Sequence, residues 1–191
     1  AKAVLTNPNQ VHVCICLTPT RYLWSGHQHY SKDIKMRLLP KVIFNYFRFV
    51  DLITSTRPDH YIAISAAVSD RIKKYYQRTS QIIYPPISSI FFKDKIKESK
   101  QDFYLIAGRL VSYKRNDLVI KCFNKLNKKL VVVGAGEEMG NLKNIAGDNI
   151  TFLGQVSDKE LIKLYQQAKA LIFAGEEDFG LVPLESQSQG T

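Results

Sequence analysis

The runs Phe103-Tyr104-Leu105-Ile106-Ala107-Gly108 and Leu130-Val131-Val132-Val133-Gly134-Ala135-Gly136 decide the fold. Each is a short apolar stretch that ends on glycine, the pattern of a buried strand closing on a tight turn. Asn116 to Leu126 between them reads as a helix, and so does the stretch after Gly136 to about Ala146. The rhythm continues with a strand at Ile150 to Leu153, a helix at Asp158 to Ala168, a strand at Ala170 to Ala174 and a helix over Gly180 to Gln189. Strands alternating with helices of this length make βαβ units, so the class is α/β with a parallel sheet. Such sheets bind ligands at the carboxyl ends of their strands, and chemistry is to be sought there.

Upstream, residues 87–101 are polar with a Lys/Glu/Asp cluster and read as an interdomain linker. They separate a unit at 102–191 from an earlier one at 1–86. In the earlier unit Val11 to Leu17 is a buried strand, and Pro19 to Tyr30 a loop rich in aromatics. From Lys32 to Ser55 the residues Ile34, Leu38, Val42, Tyr46 and Val50 recur every four positions, a helical face interrupted at Pro40. Tyr61 to Ile64 is a strand, Ser65 can cap a helix from Ala66 to Gln77, and Gln81 to Tyr84 is a strand stopped by Pro85-Pro86.

The 191 residues suffice for one good domain or two small ones, with 45% apolar and 23% charged residues, ordinary for a globular protein. No apolar run approaches the roughly 18–20 residues that span a bilayer. The start at Ala1 is no signal peptide, and a chain lacking an initiator Met and ending on Gly190-Thr191 inside a helix is expected to be a fragment. Cys14 and Cys16 face one side of their strand and, with Cys122, read as free thiols of a reducing compartment rather than a metal site. The net charge of +10 fits an anionic partner (nucleic acid, an anionic membrane face or a phosphorylated substrate) and equally a plain basic surface.

Three strand ends carry candidate chemistry. After Ala107, Gly108 permits a tight turn, and Arg109 and Lys114 lie on the loop before a helix N-terminus, a good place for a diphosphate. The glycines at 134 and 136 suggest a dinucleotide fingerprint, but Met139 stands where the third glycine belongs and Glu137-Glu138 would repel a pyrophosphate, so they read as a tight turn able to approach a ligand. At the third end, Glu177 lies on the loop and Glu185 eight positions later in the helix. Phe179-Gly180 between them should expose backbone N–H groups. Carboxylates accept two vicinal hydroxyls well, which suits Glu185 to a ribose and Glu177 to a sugar; an acidic surface loop explains them equally.

The Glu177-to-Glu185 element resembles the Glu-x7-Glu motif of retaining family 4 glycosyltransferases, which have the two-domain GT-B fold of two Rossmann-like parallel-sheet domains. Gly108-Arg109-Leu110 with Lys114 resembles their diphosphate loop. Ile62-Ala63-Ile64-Ser65-Ala66-Ala67-Val68 and Ile83-Tyr84-Pro85-Pro86-Ile87 are also similar to family sequence. The resemblance implies that both domains are incomplete here: 1–86 the latter part of the acceptor-side domain, 102–191 a truncated donor domain. It implies catalytic roles for Arg109 and Lys114 on the donor diphosphate and for Glu177 on the transferred sugar. Gly108, Phe179, Gly180, Leu181 and Glu185 would complete donor binding, with Val156 near the base. It implies no metal and no cofactor, the donor being a nucleoside-diphosphate sugar, and no protein nucleophile.

Cys16-Leu17-Thr18-Pro19-Thr20-Arg21-Tyr22-Leu23-Trp24 is similar to a segment of bacterial O-antigen and capsule mannosyltransferases. This implies GDP-mannose as donor, a glycan or polyprenyl-linked acceptor, and Arg21 as an acceptor-side cleft cation. Leu17 stands where those enzymes carry a His, which puts the sugar or the acceptor chemistry in question. Tyr22 and Trp24 could stack on a sugar or pack beneath the loop. The basic aromatic stretch Lys32 to Arg48 could rest on an anionic inner leaflet from the cytoplasm, although core packing accounts for its aromatics. The rivals are a nucleotide-binding module or inactive fragment without catalysis, a nicotinamide oxidoreductase disfavoured by Met139, and a nucleic-acid binder without a recognisable module. A fragment of this kind exposes apolar faces, so marginal stability or self-association is expected.

Overall fold

The computed structural model describes residues 2–24, 41–93 and 99–191. The 32–40 part of the helix expected over Lys32 to Ser55, with Lys32, Lys35 and Arg37, lies outside the described residues. The chain forms two compact units, Ala1–Pro85 and Pro86–Thr191. Among the described residues no helix is long and apolar enough to cross a membrane.

In the first unit, strands β1 (Val13–Cys16), β2 (His60–Ala63) and β3 (Gln81–Ile82) pair in parallel in the order β1-β2-β3. Helix α1 (Lys41–Thr54) precedes β2, and α2 (Ala66–Tyr76) follows it. Ser65 caps α2 as its sequence position suggests: its side chain accepts from the Val68 N–H at 3.2 Å. Cys14, Cys16, Tyr61 and Ala63 bury one face of this sheet against Val68, Ile72 and Tyr76 of α2. The alternate residues Val13 and Ile15 are exposed, the two-residue period of a strand covered on one side.

The face expected for α1 is reversed. Val42 and Tyr46 are 77% and 63% exposed, whereas Phe44, Arg48, Asp51 and Ser55 turn inward. Polar satisfaction decides this. Asp51 is buried and accepts from Lys2 at 2.7 Å, Thr20 at 2.7 Å, Trp24 at 2.9 Å and Tyr76 at 3.0 Å. Burial alone would raise its pKa, but the hydrogen bonds from Lys2, Trp24 and Thr20 outweigh that and lower it. Trp24 stacks on Tyr75 at 5.1 Å between centroids, so it packs beneath the loop rather than standing ready for a sugar. Arg48 donates to the Leu23 carbonyl at 2.7 Å and lies over the Phe44 and Trp24 rings, which commits it to this loop.

The second unit holds α3 (Ile90–Lys93), β4 (Tyr104–Ala107), α4 (Asn116–Leu126), β5 (Leu130–Val133), α5 (Met139–Ile145), β6 (Ile150–Gly154), α6 (Asp158–Gln167) and α7 (Leu181–Ser188). Strands β4-β5-β6 form a parallel sheet in that order. The strand expected at 170–174 is reduced to a parallel bridge between Leu171 and Leu105 beside β4. Ile106 points to a core with α4 and α5 (Val119, Ile120, Phe123, Leu142), and Leu105 and Ala107 to a core with α6 (Tyr165, Ala168). Both faces are thus covered, which is why these strands read as unbroken apolar runs. The start of the expected linker is not a bare spacer: Phe91 of α3 is buried in the α6-side core, with Ile87 and Ile90 packed against it. The polarity of 87–101 as a whole hid these three apolar anchors.

Candidate active site

At the carboxyl end of β4 the chain turns at Gly108, whose φ of +121° is open to glycine alone at ordinary cost. Its N–H donates to the Val133 carbonyl at 3.0 Å. A 3-10 turn over Ser112–Lys114 and a left-handed Arg115 then bring the chain into α4. The result folds Lys114 back: its Nζ lies 3.2 Å from where a side chain on Gly108 would begin.

Glu177 meets Lys114 there, Oε1 to Nζ at 3.0 Å, with side chains 25% and 12% exposed. The Phe173 ring lies 6.0 Å from the same ammonium. Gly175 makes the approach possible, because a Cβ on it would stand 2.8 Å from the Lys114 Cα. The first turn of α7 closes the group: Val182 comes within 3.8 Å of the Cβ position of Gly108. Gly180, at φ +87°, starts that helix and has no side chain with which to cap it. Gly108, Lys114, Glu177 and the Gly180-Leu181 helix start are therefore neighbours. Arg109 is exposed beside Gly108 and donates to the Tyr113 hydroxyl at 3.1 Å.

Glu185 is half-buried on α7 and accepts from the Tyr165 hydroxyl at 3.3 Å. Burial raises its pKa; the Tyr165 bond pulls the other way, and Asp158 adds repulsion. Phe179 is half-buried, and Val156 packs against the α6-side core. Arg21 lies in the first unit, half-buried in the turn after Thr20. Leu17, at the end of β1, is 64% exposed.

The glycines at 134 and 136 have a use other than a ligand. A Cβ on Gly134 would stand 1.9 Å from the Gly108 carbonyl oxygen, and one on Gly136 2.2 Å from that of Leu110. They let two loops lie backbone against backbone, tied by Leu110 N–H to the Ala135 carbonyl at 2.9 Å. Phe173, Gly175, Val182 and Tyr165 escape sequence reasoning because nothing in their local pattern distinguishes them from ordinary packing. Two concavities, lined by Val13, His60 and Gln81 and by Phe103, Leu130 and Asn149, open at the amino ends of the strands of their own sheets. Among the described residues no three His, Cys, Asp or Glu side chains gather as a metal-ligand set.

A parallel sheet with a glycine turn, an inward lysine and a helix start at its carboxyl edge defines an α/β protein of the Rossmann-like class, in which ligands bind at that edge. Residues 88–191, more than half of the chain, match the family described as glycosyl transferases group 1, and the chain belongs to that family. It is similar to the O-antigen chain mannosyltransferase RfbU of Salmonella typhimurium, 30% identical over 161 residues, covering 76% of this chain and 44% of that protein. The D-rhamnosyltransferase WbpZ of Pseudomonas aeruginosa is 24% identical over 180 residues, 85% of this chain and 46% of its own. The chain spans about half the length of the curated relatives it matches. Among solved structures, Anabaena Alr3699/HepE in complex with UDP and glucose gives a TM-score of 0.62 at 17% identity, over 75% of this chain and 46% of that one. TarM of S. aureus gives 0.61 at 16%, over 74% and 30%. The fold class is the GT-B class expected from the sequence.

Proposed function

We propose that the protein serves in the transfer of a hexose, mannose first, from a nucleoside-diphosphate sugar to a glycan or polyprenyl-linked acceptor, with retention and without a metal. The observation that carries this reading is the Lys114–Glu177 pair at the mouth of β4, beside Gly108 and the start of α7. Its narrower form, GDP-mannose as donor, draws on the likeness to a mannosyltransferase.

In this reading Lys114 and Arg109 take the diphosphate, and Glu177 turns from Lys114 to the hydroxyls of the sugar. Each charge thus exchanges one partner for another, so neither is left unpaired on binding. Backbone N–H groups at Phe179, Gly180 and Leu181 add donors toward the negative charge, and the turn at Gly108 lets the phosphates come close. Glu185 accepts from the ribose, Val156 lies by the base, and Arg21 serves the acceptor side. Transfer breaks the bond from the sugar C1 to the diphosphate oxygen and forms one from C1 to the acceptor oxygen on the same face. The acceptor proton leaves with the departing phosphate. Fixed cations at that phosphate act where charge grows in the transition state, the most effective place for them.

Calorimetric titration of GDP, UDP, ADP and NAD, repeated with Arg109→Ala and Glu185→Ala, tests the site. GDP should bind best with no metal added, and each substitution should weaken it about tenfold or more. A folded protein that binds no nucleoside diphosphate rejects the assignment. Nucleotide binding without cleavage of donor sugar would instead favour a binding module, for which Leu17 in place of the family His is the supporting departure.

The proposed place of action is the cytoplasmic face of the membrane. Lys41 and the exposed aromatics Tyr46, Phe47 and Phe49 of α1, on a chain of net charge +10, support contact with anionic lipid. Sedimentation with anionic vesicles should show binding that salt weakens; its absence rejects this contact.

A further inference from the structure

Tyr165 is fully buried, packed in the apolar cluster of Phe91, Leu105, Ala107 and Ala168. Its ring lies 6.2 Å from that of Phe91, and its backbone carbonyl accepts from Thr191. A ring so enclosed has no room to swing, and a hydroxyl in such surroundings costs stability unless it is bonded. Its hydroxyl reaches Glu185 Oε2 at 3.3 Å, at the edge of the cluster.

We propose that Tyr165 is a positioning residue for Glu185, holding one carboxylate oxygen so that the other faces the vicinal hydroxyls of a ribose. The proposal rests on the reading of Glu185 as the ribose acceptor. It adds a specificity: the ligand is a ribonucleotide, and the tyrosine hydroxyl is what makes the site discriminate against a deoxyribose. An ionised carboxylate offers about four lone-pair sites. With one engaged by a fixed donor, rotation of the group is restricted and the remaining sites keep one orientation. Less ordering is then required when the diol arrives. The hydroxyl also opposes the effect of burial and of Asp158, both of which favour the protonated acid, a poorer acceptor.

Titration of GDP against 2′-deoxy-GDP, or of the UDP pair if the first titration ranks UDP higher, tests this in the unaltered protein, Tyr165→Phe, Glu185→Gln and the double variant. Phe keeps the ring and its packing, and the melting midpoint reports whether the fold is intact. The unaltered protein should prefer the ribonucleotide. Tyr165→Phe should weaken the ribonucleotide about tenfold and the deoxynucleotide, which keeps only the 3′ hydroxyl, clearly less; in the Glu185→Gln background it should do nothing further. A purely structural tyrosine would weaken both ligands alike, and that result overturns the proposal. If Glu185→Gln removes the discrimination and Tyr165→Phe does not, only the role of Tyr165 falls. If Glu185→Gln leaves discrimination intact, or no nucleoside diphosphate binds, the ribose reading falls and this proposal with it.

Discussion

At the scale of single residues the glycines separate structural from ligand-facing roles. Gly134 combines φ +126° with a neighbouring carbonyl oxygen 1.9 Å from its missing Cβ. Gly134→Ala should destabilise the second unit by about 2 kcal/mol or more, since backbone strain and a displaced loop add. Gly140 in α5 has nothing within 4 Å of its Cβ position and an exposed setting. Gly140→Ala should stabilise by about 0.5–1 kcal/mol through helix propensity alone. Urea midpoints of the two variants check both signs. The sequence shows that 134 and 136 make a tight turn, but not what approaches it: the close partner is the Gly108 loop, which is distant along the chain. The positions of Gly108 and Lys114 on the loop after β4, of Glu177 on the loop before α7 and of Glu185 within α7 were legible, because each is tied to a nearby turn. Lys114 pairing with Glu177 was not, since it depends on how loops sixty residues apart pack.

At the scale of elements, α4 was legible to the residue. It ends at Asn127, in a left-handed conformation whose N–H donates to the Phe123 carbonyl, a C-cap that asparagine tolerates. Helix α1 was misread because its apolar residues outnumber the positions that can be buried, and the one acid decides its facing. Asp51 ties α1 to the Thr20–Trp24 turn and to Tyr76 of α2. Asp51→Ala should cost about 3 kcal/mol, because it leaves the Lys2 ammonium without its counter-charge and the Trp24 N–H and Thr20 hydroxyl without their acceptor. Its pKa is lowered on folding, so its contribution is present above the unfolded-state value and is lost as pH falls through the folded one. Acid titration of the first unit, followed by Trp24 fluorescence, should therefore show a loss of structure at low pH. Asp51→Asn should remove that component while lowering stability at neutral pH. An unchanged acid profile in Asp51→Asn would assign the transition to other carboxylates.

At the scale of the molecule the two sheets differ in cover, and this has a consequence in solution. The β4-β5-β6 sheet is packed on both faces, whereas the first sheet leaves Val13 and Ile15 exposed, with Leu17 just beyond its end. Helix α1 adds outward Val42, Tyr46, Phe47 and Phe49. Apolar surface gathered on one helix to this degree is more than a dissolved monomer usually shows. The 191-residue protein should therefore associate with itself as its concentration rises, visible as an increasing mass by light scattering. Tyr46→Ser combined with Phe49→Ser should lower that mass, at a stability change within about 0.5 kcal/mol for each exposed site. A sharp cooperative melt of a monomer whose mass is independent of concentration would count against it. The same pair also separates self-association from lipid contact: anionic vesicles that dissolve the associated species in the unaltered protein, and fail to bind the double variant, would show that copies and membrane compete for one helix face.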